Sequence, residues 1–379
     1  MEARPSLTVV AREWLRIGCI GFGGPPTHIA LLRELCVDRK RWLAAAEFED
    51  AIAACNLLPG PASTQLSIFC AWRLRGRAGA LVGGACFIGP GLILILALAA
   101  LFLAGSPPRW VRGAGAGAGA AVAAVAVNAG LALLPASWRR AVGSYRARWV
   151  AYLAIGATAA ATVGPWLVLL LVACGAVEVV WQRSAAAPVV SALLPLGAAS
   201  VGGLGALAWV AFKVGALSYG GGFVIIPLMH ADAVSHYHWM TDAQFLNAVA
   251  LGQVTPGPVV HTVAVVGYAA RGLGGGLLAA AVAFAPSFLF VLLGAGSFSK
   301  LRGNATVRAF LDGAGPAALG AILGSAIPLA GGLDELWQAF VLAGAAVCLL
   351  ALRLGVVITL VAAGAVGVVI ALAGGPLPN

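Results

Sequence analysis

The sequence predicts an all-α, polytopic membrane protein made of two inverted-topology repeats with broken helices and helical hairpins. Three observations support this fold class: the composition, the recurring apolar stretches and a motif that occurs twice. Of the 379 residues, 61% are hydrophobic and only 9% are charged, and the mean hydropathy is +0.98. Such a chain has too little polar surface to cover a water-soluble globule. We therefore expect it to fold in a lipid bilayer.

Several hydrophobic stretches have the length of membrane-spanning helices. A helix of roughly 17–25 residues crosses about 30 Å of hydrocarbon, and the alternating pattern of β-barrel strands is absent. We expect roughly ten to thirteen membrane segments, with half-helices counted separately, in a multi-pass protein of the inner (plasma) membrane. The candidate stretches are 78–104, 113–135, 165–181, 275–298, 306–330, 335–351 and 354–374.

One motif occurs twice, with the same spacing between its two parts in each copy. Gly-Phe-Gly-Gly at 21–24 returns as Ser-Tyr-Gly-Gly at 218–221, and Leu-Leu-Pro-Gly-Pro at 57–61 returns as Val-Thr-Pro-Gly-Pro at 254–258. Helix-breaking residues at matching points of two apolar halves are typical of transporters whose substrate site lies between repeats. The predicted organisation is a first repeat at 1–181, a linker at 182–204 and a second, inverted repeat at 205–379.

The distribution of basic residues indicates that the repeats are inverted. Residues 38–41 read Asp-Arg-Lys-Arg, whereas the equivalent loop at 232–242 has two histidines and no Lys or Arg. Likewise, four arginines lie within 136–149, and the equivalent turn near 331–335 is acidic. Lys and Arg concentrate in cytoplasmic loops, so equivalent loops are expected on opposite sides of the membrane. This rule also explains the net charge of +10, and we expect no nucleic-acid partner.

Two Pro-Gly-Pro sequences are expected to break helices inside the membrane. The proline at 59 or 256 excludes the helical conformation at the residue before it, and glycine permits a tight turn. The second proline suits the start of a new helix. Each repeat should therefore contain two half-helices that meet at a tip. The free N–H groups and the positive dipole end at such a tip favour an anion.

Residues beside the breaks and the glycine motifs form the predicted substrate-binding set. Neutral donors suit the oxygen atoms of an oxyanion, glycine turns can present backbone N–H groups, and two cations add fixed positive charge. The set consists of Gly21, Phe22, Gly23, Gly24, Asn56, Pro59, Gly60, Pro61, Ser63, Thr64, Gln65, Ser218, Tyr219, Gly220, Gly221, Gln253, Thr255, Pro256, Gly257, Pro258, His261 and Thr262, with Arg16 and Lys213 as the cations.

A few ionisable residues near the broken segments are candidates for proton coupling. Glu47 and Asp50 share one face of the helix that enters the first hairpin, where acidic residues are also ordinary partners of the helix dipole. His28 lies in the first broken segment. Glu178 and Asp312 are alternatives inside apolar stretches, and the sequence does not rank them.

Metal, redox and enzyme chemistry have no sequence signature here. The seven cysteines form no C-x-x-C pair or Cys/His cluster, which argues against a disulfide framework and a zinc or iron–sulfur site. No Ser/His/Asp or H-E-x-x-H spacing occurs, so we expect neither enzyme activity nor a cofactor. An anion channel with the same broken helices, or a carrier of another inorganic or organic anion, stays open as an alternative.

The four motifs together resemble those of the chromate ion transporter family in its two-domain, long-chain form. They lie in order at 20–25, 56–65, 218–222 and 255–258, and the resemblance covers nearly the whole chain. It implies export of chromate, a tetrahedral dianion, with sulfate as a mimic or competitor and protons as a coupling ion. Inverted repeats let a monomer be complete, and we expect a monomer or a homodimer.

The second copy departs from the first at several positions. Gly222 replaces Pro25, and residues 244 and 247 are Gln and Asn where the first copy has Glu47 and Asp50. We therefore expect the two halves to gate asymmetrically.

Overall fold

The computed structural model describes residues 5–58, 60–103, 105, 107–162, 166–183, 203–218, 223–294 and 304–378, without the side chains of residues 57 and 183. Within these ranges the regular secondary structure is entirely helical, and no strand occurs. The predicted all-α class is confirmed. The α-helices are α1 (Leu7–Ile20), α2 (Pro25–Arg33), α3 (Ala45–Leu57), α4 (Ala62–Phe102), α5 (Arg109–Ala120), α6 (Val122–Arg140), α7 (Tyr145–Thr162), α8 (Leu167–Arg183), α9 (Leu204–Leu217), α10 (Ile225–His230), α11 (Asp242–Val254), α12 (Thr262–Gly294), α13 (Ala305–Gly324), α14 (Ala326–Gly331), α15 (Leu336–Ala346) and α16 (Val356–Leu372).

Four helical stretches of the described chain are long and apolar enough to cross a membrane. Large apolar side chains such as Ile93 and Leu293 are more than 70% exposed, as expected where a helix faces lipid instead of water. The polytopic membrane fold is therefore confirmed. The four stretches are Ala62–Phe102, Arg109–Arg140, Val259–Gly294 and Ala305–Gly331, and shorter apolar helices occupy Leu167–Gln182, Leu204–Leu217, Leu336–Ala351 and Val356–Leu372.

Backbone conformations recur at equivalent positions of the two halves. Helix α4 bends at Arg75 and Gly76, and α12 bends at the equivalent Arg271 and Gly272. Both glycines have φ of 60°, a left-handed value that residues with a Cβ rarely adopt. The π-helical turns Glu34–Arg39 and Ala231–His236 likewise follow the glycine motif of each half at the same distance along the chain. The two halves thus follow the same local path, while the repeat boundaries and the inversion stay predictions.

The two halves exchange helices at their outer faces. Helix α5 packs against α16, and α13 packs against α7 and α8. A Cβ on Gly117 would lie 2.2 Å from the carbonyl oxygen of Ala363, and a Cβ on Gly320 would lie 1.9 Å from that of Leu153. Small residues of this kind let helix backbones approach closely in a membrane. Helices α1 and α4 pack together within the first half, α9 and α12 within the second, and α4 against α12 at the centre.

The substitution Gly320→Ala should destabilise the protein through this helix exchange. The added methyl group would overlap the Leu153 carbonyl, and overpacking of this kind costs about 1–3 kcal/mol. We expect a lower Tm for the purified protein in detergent. The control is Gly344→Ala, also within a helix, where a Cβ would meet nothing within 4 Å and alanine improves helix propensity. Equal Tm values for the two variants would contradict the proposed packing.

Candidate functional site

The first break separates α3 from α4 as a reversal of the chain. Leu58 is extended, Gly60 has φ of 112°, and Pro61 caps the start of α4. Glu47 near the start of α3 forms an ion pair with Arg73, which lies just before the bend of α4. The two half-helices therefore fold back on each other as the predicted hairpin. Pro59 lies outside the described residues.

The second break repeats this geometry between α11 and α12. Thr255 is extended, Gly257 has φ of 95°, and Pro258 leads into a 3₁₀ turn that ends at His261. The Gly257 N–H group donates to the carbonyl oxygen of Gly21 at 2.9 Å. The second break is therefore bonded to the glycine motif of the first half.

Each break packs against the other half of the molecule. A Cβ on Gly60 would lie 3.2 Å from the Gly215 carbonyl oxygen and 3.5 Å from the Ser287 hydroxyl. Reciprocally, a Cβ on Gly91 would lie 2.1 Å from the carbonyl oxygen of Pro256. Gly91 and Ser287 are equivalent positions, because each directly follows the proline inside its long helix. The two breaks thus meet at the interface between the halves.

His28 joins the first glycine motif to the start of α4. Its Nε2 lies 2.9 Å from the Gly21 carbonyl oxygen, and its Nδ1 lies 3.2 Å from the Ser63 hydroxyl. Because a carbonyl only accepts, Nε2 carries the proton, and in the neutral ring Nδ1 accepts from Ser63. The ring also contacts Phe87 edge-on at 5.0 Å. This fully buried histidine therefore connects the Gly21 carbonyl group to the Ser63 hydroxyl group.

Several polar side chains at the breaks are buried without hydrogen-bond partners. Within the described ranges, these atoms include Thr64 Oγ1, Ser218 Oγ, Gln253 Nε2, Ser287 Oγ and both ring nitrogens of His261. The Ile88 backbone approaches the His261 ring, but no hydrogen bond of ordinary geometry forms. An unpaired buried group costs about 1–3 kcal/mol, and such groups in a native fold call for an explanation.

The two breaks differ in their exposure. A cavity of about 710 Å³ reaches the first break, where Asp50 and Asn56 are exposed. Their equivalents at the second break are covered. Asn247 lies against α5, because a Cβ atom added to Gly115 or Gly119 would be 2.8–3.0 Å from the Asn247 side chain. Gln253 is buried. The polar or charged residues that line the cavity are Glu49, Asp50, Asn56, Ser137, Arg140, Arg308 and Asp312.

The two cations of the predicted set are engaged by carboxylates of their own half. Arg16 is 55% exposed and lies 3.9 Å from Glu13. Lys213 is buried, and its Nζ donates to Asp232 Oδ2 at 2.5 Å. Neither side chain borders the cavity.

The other predicted residues occupy varied positions. Phe22 is 42% exposed, and Gly23 and Gly24 have φ of 98° and 75°. The Gln65 amide nitrogen faces Gly60, and Thr262 Oγ1 donates to the Val259 carbonyl. Residues 219–221 lie outside the described ranges.

The alternative carboxylates Glu178 and Asp312 are linked. Glu178 is fully buried and accepts two hydrogen bonds from Arg148, at 2.9 and 3.1 Å, and one each from Tyr152 and Gln182 at 2.9 Å. The Gln182 amide also lies 3.5 Å from Asp312 Oδ2, and Asp312 borders the cavity.

Sequence reasoning did not place Ser287, Arg140 or Arg308 at the site. The replacement of Gly91 by serine at the equivalent position 287 was the available signal for the first of these. The two arginines carry no such local signal, because their place on the cavity depends on how distant helices pack.

Comparisons of this chain with a family model and with individual proteins point to the same family. The family model described as Chromate transporter matches residues 8–179 and 205–368. The chromate transport protein of Cupriavidus metallidurans is 33% identical over 340 residues, 86% of this chain and 83% of that protein. The probable chromate transport protein of Synechococcus elongatus is 29% identical over 338 residues (86% and 84%), and the chromate transport protein of Pseudomonas aeruginosa is 30% identical over 342 residues (84% and 80%). No solved structure was found to match. Because the family model covers most of both halves, the chain belongs to the chromate transporter family.

Proposed function

We propose that this protein is a secondary transporter that exports a tetrahedral oxyanion, chromate, with sulfate as a competitor, by alternating access. The observation that carries the proposal is the set of unpaired polar side chains buried at the two helix breaks. These breaks lie where the halves meet, and a transporter of this architecture is expected to bind its substrate there. The relatives named above are called chromate transport proteins, which supports the choice of substrate.

The unpaired groups suit an oxygen-rich dianion. The hydroxyl groups of Thr64, Ser218 and Ser287, the Gln253 amide nitrogen and the His261 ring can all donate hydrogen bonds. Hydrogen bonds to a charged acceptor contribute about 1.5–3 kcal/mol each. The helix that starts after the first break adds the positive end of its dipole. A chromate or sulfate ion would satisfy donors that the protein leaves unpaired.

The difference between the two breaks supports alternating access. The cavity exposes Asp50 and Asn56 at the first break, whereas Asn247 and Gln253 are covered at the second. Closing the first break and opening the second would exchange these environments. Arg140, which lines the cavity, ends α6 and belongs to the basic segment 136–149. Basic segments favour the cytoplasm, so we assign the cavity to the cytoplasmic side.

Export of a dianion has an available driving force. An inside-negative potential favours its exit by about 4.6 kcal/mol per 100 mV, twice the value for one charge. Coupling to protons is a further part of the proposal. Of the three candidates, Asp50 is the one that lines the cavity, where a proton and the substrate can both reach it. We therefore assign proton coupling to Asp50.

Removing an unpaired donor should reduce transport without harming the fold. We expect Ser287→Ala and Thr64→Val to lower chromate flux into liposomes at subsaturating concentration about tenfold, as the loss of a hydrogen bond to a charged group implies. Since each change removes a buried unpaired oxygen, the Tm should stay equal or rise. Flux of radiolabelled chromate into the liposomes measures the first effect, and the Tm of the purified protein measures the second.

The matched control for these variants is Ser325→Ala. This serine is also buried, but its hydroxyl donates to the Ile322 carbonyl at 2.7 Å. We expect a lower Tm and wild-type flux. Wild-type flux in both Ser287→Ala and Thr64→Val would refute the assigned site. Counterflow of labelled sulfate against unlabelled chromate separates a carrier from a channel, because a channel shows none.

Thiol labelling tests the alternation between the two breaks. In a background without the native cysteines, Asn56→Cys should react with a membrane-impermeant reagent from the cytoplasmic side, and Gln253→Cys only from the opposite side. The physical reason is that Asn56 lines the cavity at the first break, whereas its equivalent Gln253 is buried at the second break. Inside-out and right-side-out vesicles provide the two sides. Labelling of both positions from one side would be incompatible with inverted alternating access.

A further inference from the structure

We propose that Arg140 and Arg308 form a capture site, a second anion-binding position in the cavity that a dianion occupies before it reaches the breaks. This inference rests on the proposed function and extends it to residues of both halves. Arg140 ends α6 of the first half, and Arg308 lies in the first turn of α13 of the second half. Both side chains are exposed and line the same cavity as Asn56 and Gly60.

The two guanidinium groups are available to a ligand. Within the described ranges, neither guanidinium group takes part in a salt bridge or a hydrogen bond. A guanidinium group offers a planar fork of N–H donors that matches an oxyanion. Arginines from two helices can therefore hold one tetrahedral dianion between them.

Three carboxylates, Glu49, Asp50 and Asp312, line the cavity together with the two arginines. Glu49 lies 3.3 Å from Arg33, outside the pair. Asp312 interacts electrostatically with both Arg140 and Arg308. When a dianion enters the cavity, it can replace Asp312 as the partner of the two arginines.

Asp312 is connected to a buried carboxylate through Gln182, whose side chain is exposed. Gln182 donates to Glu178 at 2.9 Å and lies 3.5 Å from Asp312 Oδ2, and Glu178 is fixed by Arg148 and Tyr152. The Asp312 carboxylate lies at the wall of the cavity, which the two arginines also line. Its role in the capture site is to keep the arginines extended towards the cavity.

Among the described residues, the second half has no equivalent of this site. Arg112, the counterpart of Arg308, donates to the carbonyl oxygen of Pro378 at 2.9 Å. The position equivalent to Asp312 is Ala116, and α14, where the matching helical stretch ends, has no basic residue in its last turn. Within the part of the chain that the structure describes, the capture site therefore occurs only on the side of the first break. It would raise the affinity for substrate at the cytoplasmic face and leave the opposite face weak, as export requires.

The test is the concentration dependence of sulfate binding and transport. For Arg140→Gln and Arg308→Gln we expect KM on the cavity side to rise about tenfold, with the maximal rate within about twofold, since the site acts before the breaks. The dissociation constant for radiolabelled sulfate, measured by equilibrium dialysis in detergent, should rise by a similar factor. Arg140→Lys and Arg308→Lys keep the charge and should recover part of the loss.

The matched controls are Arg139→Gln, the exposed neighbour that does not line the cavity, and Arg112→Gln, the counterpart in the other half. Both should keep the wild-type KM. The capture site is overturned if the two cavity variants also bind and transport sulfate like the wild type. If the wild type binds sulfate with this arginine dependence but moves neither sulfate nor chromate, the capture site stands and the proposed transport fails. A wild type that binds no oxyanion overturns both.

Discussion

Hydrogen-bonding groups inside a bilayer must find their partners within the protein, because hydrocarbon offers none. The two helix breaks place extended backbone in the middle of the fold, and protein from the opposite half surrounds each of them. The Gly257 N–H group finds the Gly21 carbonyl, and His28 bonds to that same carbonyl and to Ser63. Side chains left unpaired in such a setting are exceptions, and they collect around the breaks. The candidate site is therefore marked by polar side chains that have no hydrogen-bond partner, in a fold whose other buried polar groups mostly have one.

Glycine makes both the breaks and their surroundings possible. Gly60 and Gly257 have positive φ values that allow the reversals. Elsewhere glycine acts through its size: Gly91 admits the carbonyl of Pro256, and Gly117 and Gly320 admit the backbones of exchanged helices. Because the central contacts involve backbone atoms, the halves are positioned by main-chain shape more than by particular large side chains.

The breaks, hairpins and helical class could be predicted because proline and glycine act on the backbone within one or two residues. The partners of the charged residues could not. Arg140 and Arg308 belong to different halves of the sequence and reach one cavity only through the exchange of helices between those halves. The partner of Lys213 is the Asp232 carboxylate, which lies 19 residues away on a different helical segment. Local sequence determines where the chain turns. Long-range packing determines which charged side chains remain free to bind a ligand.

The exchange of helices has a consequence for biosynthesis. Helix α5 ends at Ala120, and its partner α16 begins at Val356, so the first surface is made long before the second. At about 5–20 residues per second, the ribosome adds the intervening chain in some tens of seconds. During that interval the glycine face of α5 faces lipid or a temporary neighbour. Docking of α5 must therefore follow insertion of α16, and a nascent chain stopped after the first half would lack the helices that pack against α5, α7 and α8.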